Sequence, residues 1–372
     1  MKRFIHVAEP ALVGNEKAYV NDCIDSNWIS SNGKYINRFE EEFANYCGVK
    51  YAVACSNGTT ALHLALLAAG ISAGDEVIIP TLTFVATANA VTYCGATPIL
   101  VDSDPVTWNI NPPDIERRLT SRTKAIIAVH LYGHPADMDS INAIADKHGL
   151  LVIEDAAEAH GARYKEKNAG SLGNIATFSF YGNKIITTGE GGMVVTDDKE
   201  IAYKARQLRG QGMDPARRYW FPQVGYNYRM SNVAAAIGVA QLEKIEWHLQ
   251  RRRSIAYQYA EHFSNHKRIR MQPEPPSGRN AYWMSCIVLE TASLISRDEL
   301  ALKLFDAGIE TRPFFPPMHQ LPMYAETARE HKFPIADMLS RSGLSLPSHA
   351  NLTDDDIAYI ADQVKEAFVK FE

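Results

Sequence analysis

Between about Gly48 and Thr196 the chain alternates short β-rich runs with stretches whose apolar residues recur at helical spacing. Residues 52–55, 76–80, 97–102, 123–130, 150–155, 176–180 and 192–196 read as strands. Several are apolar throughout rather than alternating, the pattern of strands covered on both faces. Helical patterns lie between them at 59–69, 83–94, 115–119 and 138–148. Such alternation predicts an α/β fold, an open and mostly parallel sheet with helices on both sides. Sites in such sheets lie at the carboxyl ends of the strands.

Beyond Gly225 the pattern changes. A helical run begins at Ser231 and continues through Trp247 to Arg251-Arg252-Arg253 with almost no glycine or proline, which suits a helix bridging two domains. The proline-rich stretch 273–277 then reads as a turn. Strands are expected at 282–289 and 309–315, and helices at 297–307 and 353–371. The expected division is a large domain over residues 1–248 and a smaller α+β domain over 249–372.

Composition narrows the function classes. The 372 residues are 46% hydrophobic and 22% charged, ordinary for a globular protein with a substantial core. No run approaches the ~20 apolar residues that span a bilayer. The apolar run after Met1-Lys2-Arg3 is too short for a signal peptide. Cys23, Cys47, Cys55, Cys94 and Cys286 are scattered and show no metal-ligand spacing, so they read as reduced thiols of a cytoplasmic protein with no metal. A net charge of −5 argues against nucleic acid as a partner, and leaves room for an anionic small substrate held by a few arginines.

The candidate chemistry centres on Lys184, which follows Ser179-Phe180-Tyr181-Gly182-Asn183 and precedes Gly189-Glu190-Gly191-Gly192. About thirty positions upstream, a strand ends in Glu154-Asp155. A lysine able to form an imine and a carboxylate at a strand end are the two groups that pyridoxal phosphate needs. The amine makes the Schiff base, and the aspartate keeps the pyridine nitrogen protonated. Asp155 could equally cap the helix that follows it. Gly58, Thr59 and Thr60 stand at a helix amino terminus, where free amides and the helix dipole favour a phosphate, or where they simply cap the helix. Ser179 could add a hydroxyl to that phosphate. Phe84 either stacks on a flat ring or packs in the core. Glu158 could contact a ring hydroxyl. Arg217-Arg218-Tyr219-Trp220 and Arg312-Pro313-Phe314 put cations beside aromatics, suited either to a nucleotide diphosphate or to a solvated surface.

Taken in order, four motifs resemble the pyridoxal-phosphate-dependent sugar aminotransferases of the DegT/DnrJ/EryC/StrS family. They are Gly58-Thr59 with Ala61-Leu62, Glu154-Asp155 with Ala159-His160-Gly161-Ala162, Lys184 with Gly189-Glu190-Gly191-Gly192, and Asn227-Tyr228-Arg229-Met230. The resemblance covers essentially the whole chain and implies a fold type I aminotransferase. By resemblance, Lys184 and Asp155 are catalytic, and Phe84 stacks on the ring. Gly58, Thr59, Thr60 and Ser179 hold the phosphate, with Asn227 reaching it from the other subunit of a homodimer. Glu158 stands where many relatives carry glutamine.

Trp28-Ile29-Ser30-Ser31, His130-Leu131-Tyr132-Gly133, Arg218-Tyr219-Trp220 and Arg312-Pro313 with Met318-His319 resemble members that act on GDP-4-keto-6-deoxymannose with L-glutamate as donor. They imply substrate contacts from Trp28, Arg218, Tyr219, Arg229, Arg312 and His319. A UDP- or dTDP-linked 4-ketosugar is the alternative acceptor. Dehydrating relatives carry histidine at the position of Lys184, so the lysine implies amino transfer, with pyridoxamine phosphate as the intermediate form of the cofactor.

Overall fold

The all-apolar runs became strands because each is sandwiched between helices: every residue of β2 (Glu76–Pro80), for example, is buried. The computed structural model describes residues 4–214, 216–274, 278–290 and 295–369. In chain order the first strands are β1 (Tyr51–Cys55), β2, β3 (Thr97–Val101), β4 (Thr123–Val129) and β5 (Leu151–Asp155). The two-residue strands β6 (Arg163–Tyr164) and β7 (Lys167–Asn168) follow, then β8 (Ile175–Ser179) and β9 (Gly192–Thr196). Among the described residues, seven of them form one sheet in the order β1-β9-β8-β5-β4-β2-β3. Neighbours from β8 to β3 run parallel, and β9 alone opposes its neighbours β1 and β8. The expected α/β sheet is therefore mostly parallel. Its topology brings the carboxyl ends of β1, β2, β4, β5 and β8 to one edge.

A second, antiparallel sheet has the order β10-β12-β14-β13, built from β10 (Ile269–Met271), β12 (Ser285–Leu289), β13 (Arg312–Pro313) and β14 (Gly343–Leu346). Between β10 and β12, β11 (Gly278–Arg279) leaves this sheet and pairs with β6 instead. Helices Ile245–Phe263, Arg297–Asp306 and Asp354–Val369 contribute to a separate core with Ile287, Leu344 and Leu346. Ile5, near the amino terminus, packs in that same core and is bonded on both sides, its N–H to Gly308 and its carbonyl to Glu310. Leu249 packs in the core of the large sheet, with Val53, Ile79 and Ile153, and Ile255 in that of the smaller one, so we propose the domain boundary within the helix that carries both.

Four expectations shift, the first being the strand expected at 309–315, which forms only at Arg312–Pro313. The run from Ser231 to Arg253 is two helices, Asn232–Leu242, capped by the Ser231 hydroxyl, and Ile245–Phe263. At the break, the Glu243 carboxylate collects Asn15, Tyr19 and Arg38. The strand expected from 282 begins only at Ser285, because Tyr282 has φ 48° and cannot enter an extended ladder. The helix expected from Thr83 starts at Ala86, leaving Phe84 in the loop above the sheet edge. Met1–Arg3, Pro275–Ser277 and residues 370–372 lie outside the described residues.

Candidate active site

At the carboxyl edge of the large sheet lies a cavity of about 640 Å³, lined from both halves of the chain. Asp155, the last residue of β5, is buried on its floor. The Thr87 hydroxyl donates to Asp155 Oδ2 at 2.8 Å and the Ala157 N–H to Oδ1 at 3.3 Å. Thr83 continues that chain, its hydroxyl 2.9 Å from that of Thr87. Burial pushes the Asp155 pKa up, while these two hydrogen bonds and the nearby Lys184 charge pull it down.

Lys184 sits in the loop after β8, its N–H bonded to the Tyr181 carbonyl at 2.9 Å. Its Nζ is 3.8 Å from Glu158 Oε1 and 3.9 Å from the centroid of the Trp283 ring. Burial lowers the lysine's pKa, and the Glu158 and Asp155 carboxylates oppose that. Burial raises the Glu158 pKa, against the Lys184 charge and a 2.7 Å hydrogen bond from the Tyr132 N–H. One largely covered amine thus faces two buried carboxylates: its burial brings the neutral form within reach of a base's work, and the carboxylates hold that tendency in check.

Beside this floor, helix Gly58–Ala68 points its amino terminus into the cavity. Gly58 is needed for the approach: a Cβ there would lie 2.6 Å from Ser179 Cβ. Gly192 is as tightly placed, its own would-be Cβ 2.2 Å from the Asn57 carbonyl oxygen. Asn57 and Thr60 form a capping box, with Thr60 N–H donating to Asn57 Oδ1 at 2.9 Å and Asn57 N–H to Thr60 Oγ1 at 3.1 Å. Gly58, Thr59, Thr60 and Ser179 all line the cavity, yet the Thr60 hydroxyl already serves the cap. Phe84 is 54% exposed at the mouth, its ring 5.6 Å from that of Phe315.

Of the expected substrate residues, only Arg312 lines the cavity. Trp28, Arg218, Tyr219 and Arg229 are exposed and lie apart from it within this chain. So is Asn227, whose Oδ1 accepts from Arg229 Nε and Nη2 at 3.2 and 3.1 Å. His319 is placed differently from the expectation. One ring nitrogen is bonded to Thr81 Oγ1 at 2.8 Å and the other to Asp337 Oδ1 at 2.9 Å, and its ring stacks on Phe333 away from the cavity. Thr87, Trp283 and Tyr132 are site residues that pattern reading did not single out. Thr87 follows Phe84 by three positions and could have been noticed. Trp283 carried no local signal.

The donor set suits pyridoxal phosphate, with a helix amino terminus for the phosphate, Asp155 for the ring nitrogen and Lys184 for the aldehyde. The sequence pattern of the DegT/DnrJ/EryC1/StrS aminotransferase family matches residues 10–365. The chain belongs to this family. It is 53% identical over 366 residues, 98% of each chain, to the GDP-perosamine synthase of Caulobacter vibrioides. Identity to the GDP-perosamine synthase of Escherichia coli O157:H7 is 50% over 366 residues, 98% of this chain and 99% of that protein. Among solved structures, S. venezuelae DesV in complex with a ketimine intermediate superposes with a TM-score of 0.89 at 36% identity. That superposition covers 95% of this chain and 94% of DesV. As members of the family are, the protein is an aminotransferase, and the α/β aminotransferase fold expected from sequence is the fold observed. Among the described residues, no helix is long and apolar enough to cross a membrane.

Proposed function

We propose that the protein uses pyridoxal phosphate to transfer the amino group of L-glutamate to C4 of GDP-4-keto-6-deoxymannose. The products are 2-oxoglutarate and GDP-perosamine, a sugar for O-antigen or another surface polysaccharide. The observation that carries the chemistry is the Lys184 amine, only 12% exposed, facing the buried Glu158 and Asp155 at the carboxyl edge of the sheet. The identity to two GDP-perosamine synthases supports the choice of sugar.

When bound, pyridoxal phosphate supplies an aldehyde to receive amines and a ring that takes up electron density. The residues supply the rest. Lys184 Nζ would take the proton from the substrate carbon and return it, serving as base and then acid for glutamate and in the reverse order for the sugar. Asp155, whose carboxylate accepts from Thr87 and Ala157, would hold a proton at the ring nitrogen. The amides opening helix Gly58–Ala68, with Thr59 and Ser179, hold the phosphate. Phe84, at the cavity mouth, would cover the ring, and Arg312, which lines the cavity, would offer positive charge to the sugar nucleotide.

We assign the exposed Trp28, Arg218, Tyr219 and Arg229 to a site completed by a homodimer. Asn227 of the partner subunit then reaches the phosphate. Their exposure on a single chain, together with the large exposed aromatics of 219–221, supports this reading. The unpaired cysteines fit a cytoplasmic enzyme. Initial rates with glutamate and GDP-, UDP- or dTDP-linked 4-ketosugars test the acceptor. Preference for the GDP sugar is expected, and turnover of a UDP sugar without turnover of the GDP sugar would sink the assignment.

A further inference from the structure

Lys184 is held from the other half of the molecule. The Trp283 indole N–H donates to the carbonyl of Asn183 at 2.8 Å, and the face of the same ring lies 3.9 Å from Lys184 Nζ. Trp283 is itself fixed on three sides. Its carbonyl accepts from Arg252 Nη1 at 2.6 Å, and Arg252 Nη2 also reaches the Lys184 carbonyl at 3.3 Å. Its ring lies nearly parallel to that of Tyr132, with centroids 6.2 Å apart at 14°. On the remaining side, its backbone rests on Gly133, where an added Cβ would come within 2.8 Å of both the Tyr282 and the Trp283 nitrogen. Gly133 has φ 100°, so this contact is open to glycine alone on two counts.

These contacts place one side chain against both the backbone and the amine of the same lysine. A hydrogen bond to Asn183 fixes the peptide entering Lys184, while the negative face of the indole attracts an ammonium within about 6 Å. We propose that Trp283 is a positioning residue for Lys184, its ring the seat of the free ammonium and its N–H the anchor of the peptide that carries it. The proposal rests on the reading that Lys184 is the reacting amine. The ring face favours the charged lysine and so opposes the lowering that burial imposes. It gives the displaced amine a defined place to wait between its two proton transfers, close to where it acts.

The test is the titration of Lys184 in the pyridoxamine-phosphate-loaded protein, where the amine is free, read as the pH dependence of its acetylation by mass spectrometry. In Trp283→Leu, which keeps an apolar wall but has no ring, the midpoint should fall by about half a pH unit to one and a half. Trp283→Phe should recover part of that fall, while amide exchange at residues 183–185 speeds up because the N–H anchor is gone. Incorporating 5-fluorotryptophan keeps the shape and weakens the ring face, and should lower the midpoint by a few tenths even if the leucine variant does not fold. An unchanged or raised midpoint in the fluorinated protein would overturn the proposal. Borohydride fixation of pyridoxal phosphate separates the two ideas. Label on a peptide other than that of Lys184 would defeat the underlying reading, and label on Lys184 with an unmoved midpoint would defeat only the role of Trp283.

Discussion

On the floor of the cavity, Asp155 and Glu158 are buried and the Lys184 side chain is 12% exposed, and each has partners from its own chain. On the surface that would form the rim only in the proposed homodimer, Trp28, Tyr219, Trp220 and Phe221 are about half exposed or more, and Arg217 and Arg218 touch near neighbours in sequence. Burying a charge costs several kcal/mol unless it is paired, so a floor of three ionisable groups has to be complete when the chain folds. A rim of exposed aromatics carries no such requirement and is free to be finished by substrate or by a second subunit. The floor therefore stores chemistry, and the rim leaves recognition open.

The largest effect is expected on the floor. Lys184→Ala removes the amine but leaves Asp155, the helix amino terminus and the cavity in place. Turnover should drop by about 10⁴-fold or more, the upper end of what a positioned base and nucleophile contributes. Pyridoxamine phosphate should still bind, seen as retained absorbance after gel filtration. Near-normal transamination by this variant would show that the floor does not hold the proton carrier.

A smaller effect, and the one that separates floor from rim, is expected at Asn227. Its side chain lies away from the cavity of its own chain, bonded to Arg229. Asn227→Ala should weaken pyridoxal phosphate binding by about tenfold, the loss of one hydrogen bond to a charged group. Co-expression with Lys184→Ala supplies the sharper result. In a mixed dimer one site has both the native lysine and the native asparagine, so about one quarter of native activity should return at limiting cofactor. Mixtures that stay inactive would mean that each site is complete within its own chain.

How much of this was legible in the sequence follows the same division. Lys184, Asp155 and the Gly58 turn could be read because their signals are local: a strand end, a glycine-rich loop, a helix amino terminus. The break between Leu242 and Ile245 could not, since the residues that gather Glu243 are Asn15, Tyr19 and Arg38, some two hundred positions away. His319 shows the same limit: the resemblance that marked it as a substrate contact carries no sign that Thr81 and Asp337 bond its ring in this chain. Trp283 was invisible because its meaning lies in a hydrogen bond spanning 100 positions to Asn183. Periodicity locates an element and the residue at its tip; it does not report which distant side chain has already taken that residue's polar atoms.

The smallest expected effect probes how dry the underside of the floor is. His160 is fully buried among Phe43, Phe178 and Phe180, with ring centroids 6.5, 5.2 and 5.4 Å away. Burial first, then the Lys184 and Arg252 charges, lowers its pKa to about 3. The unfolded chain titrates this group near its ordinary value of about 6.5. Between those two values the unfolded state binds a proton that the native state refuses, so stability falls as the pH drops through that window. His160→Phe removes the difference and keeps the ring packing. At neutral pH its melting temperature should stay close to that of the native protein, and near pH 4.5 it should gain a few degrees on it by calorimetry. His248, also lowered by burial, to about 4, contributes to both proteins and cancels in the comparison. A gap between the two melting temperatures that does not move with pH would mean that water or a proton reaches His160, and that the floor is less sealed from below than its packing shows.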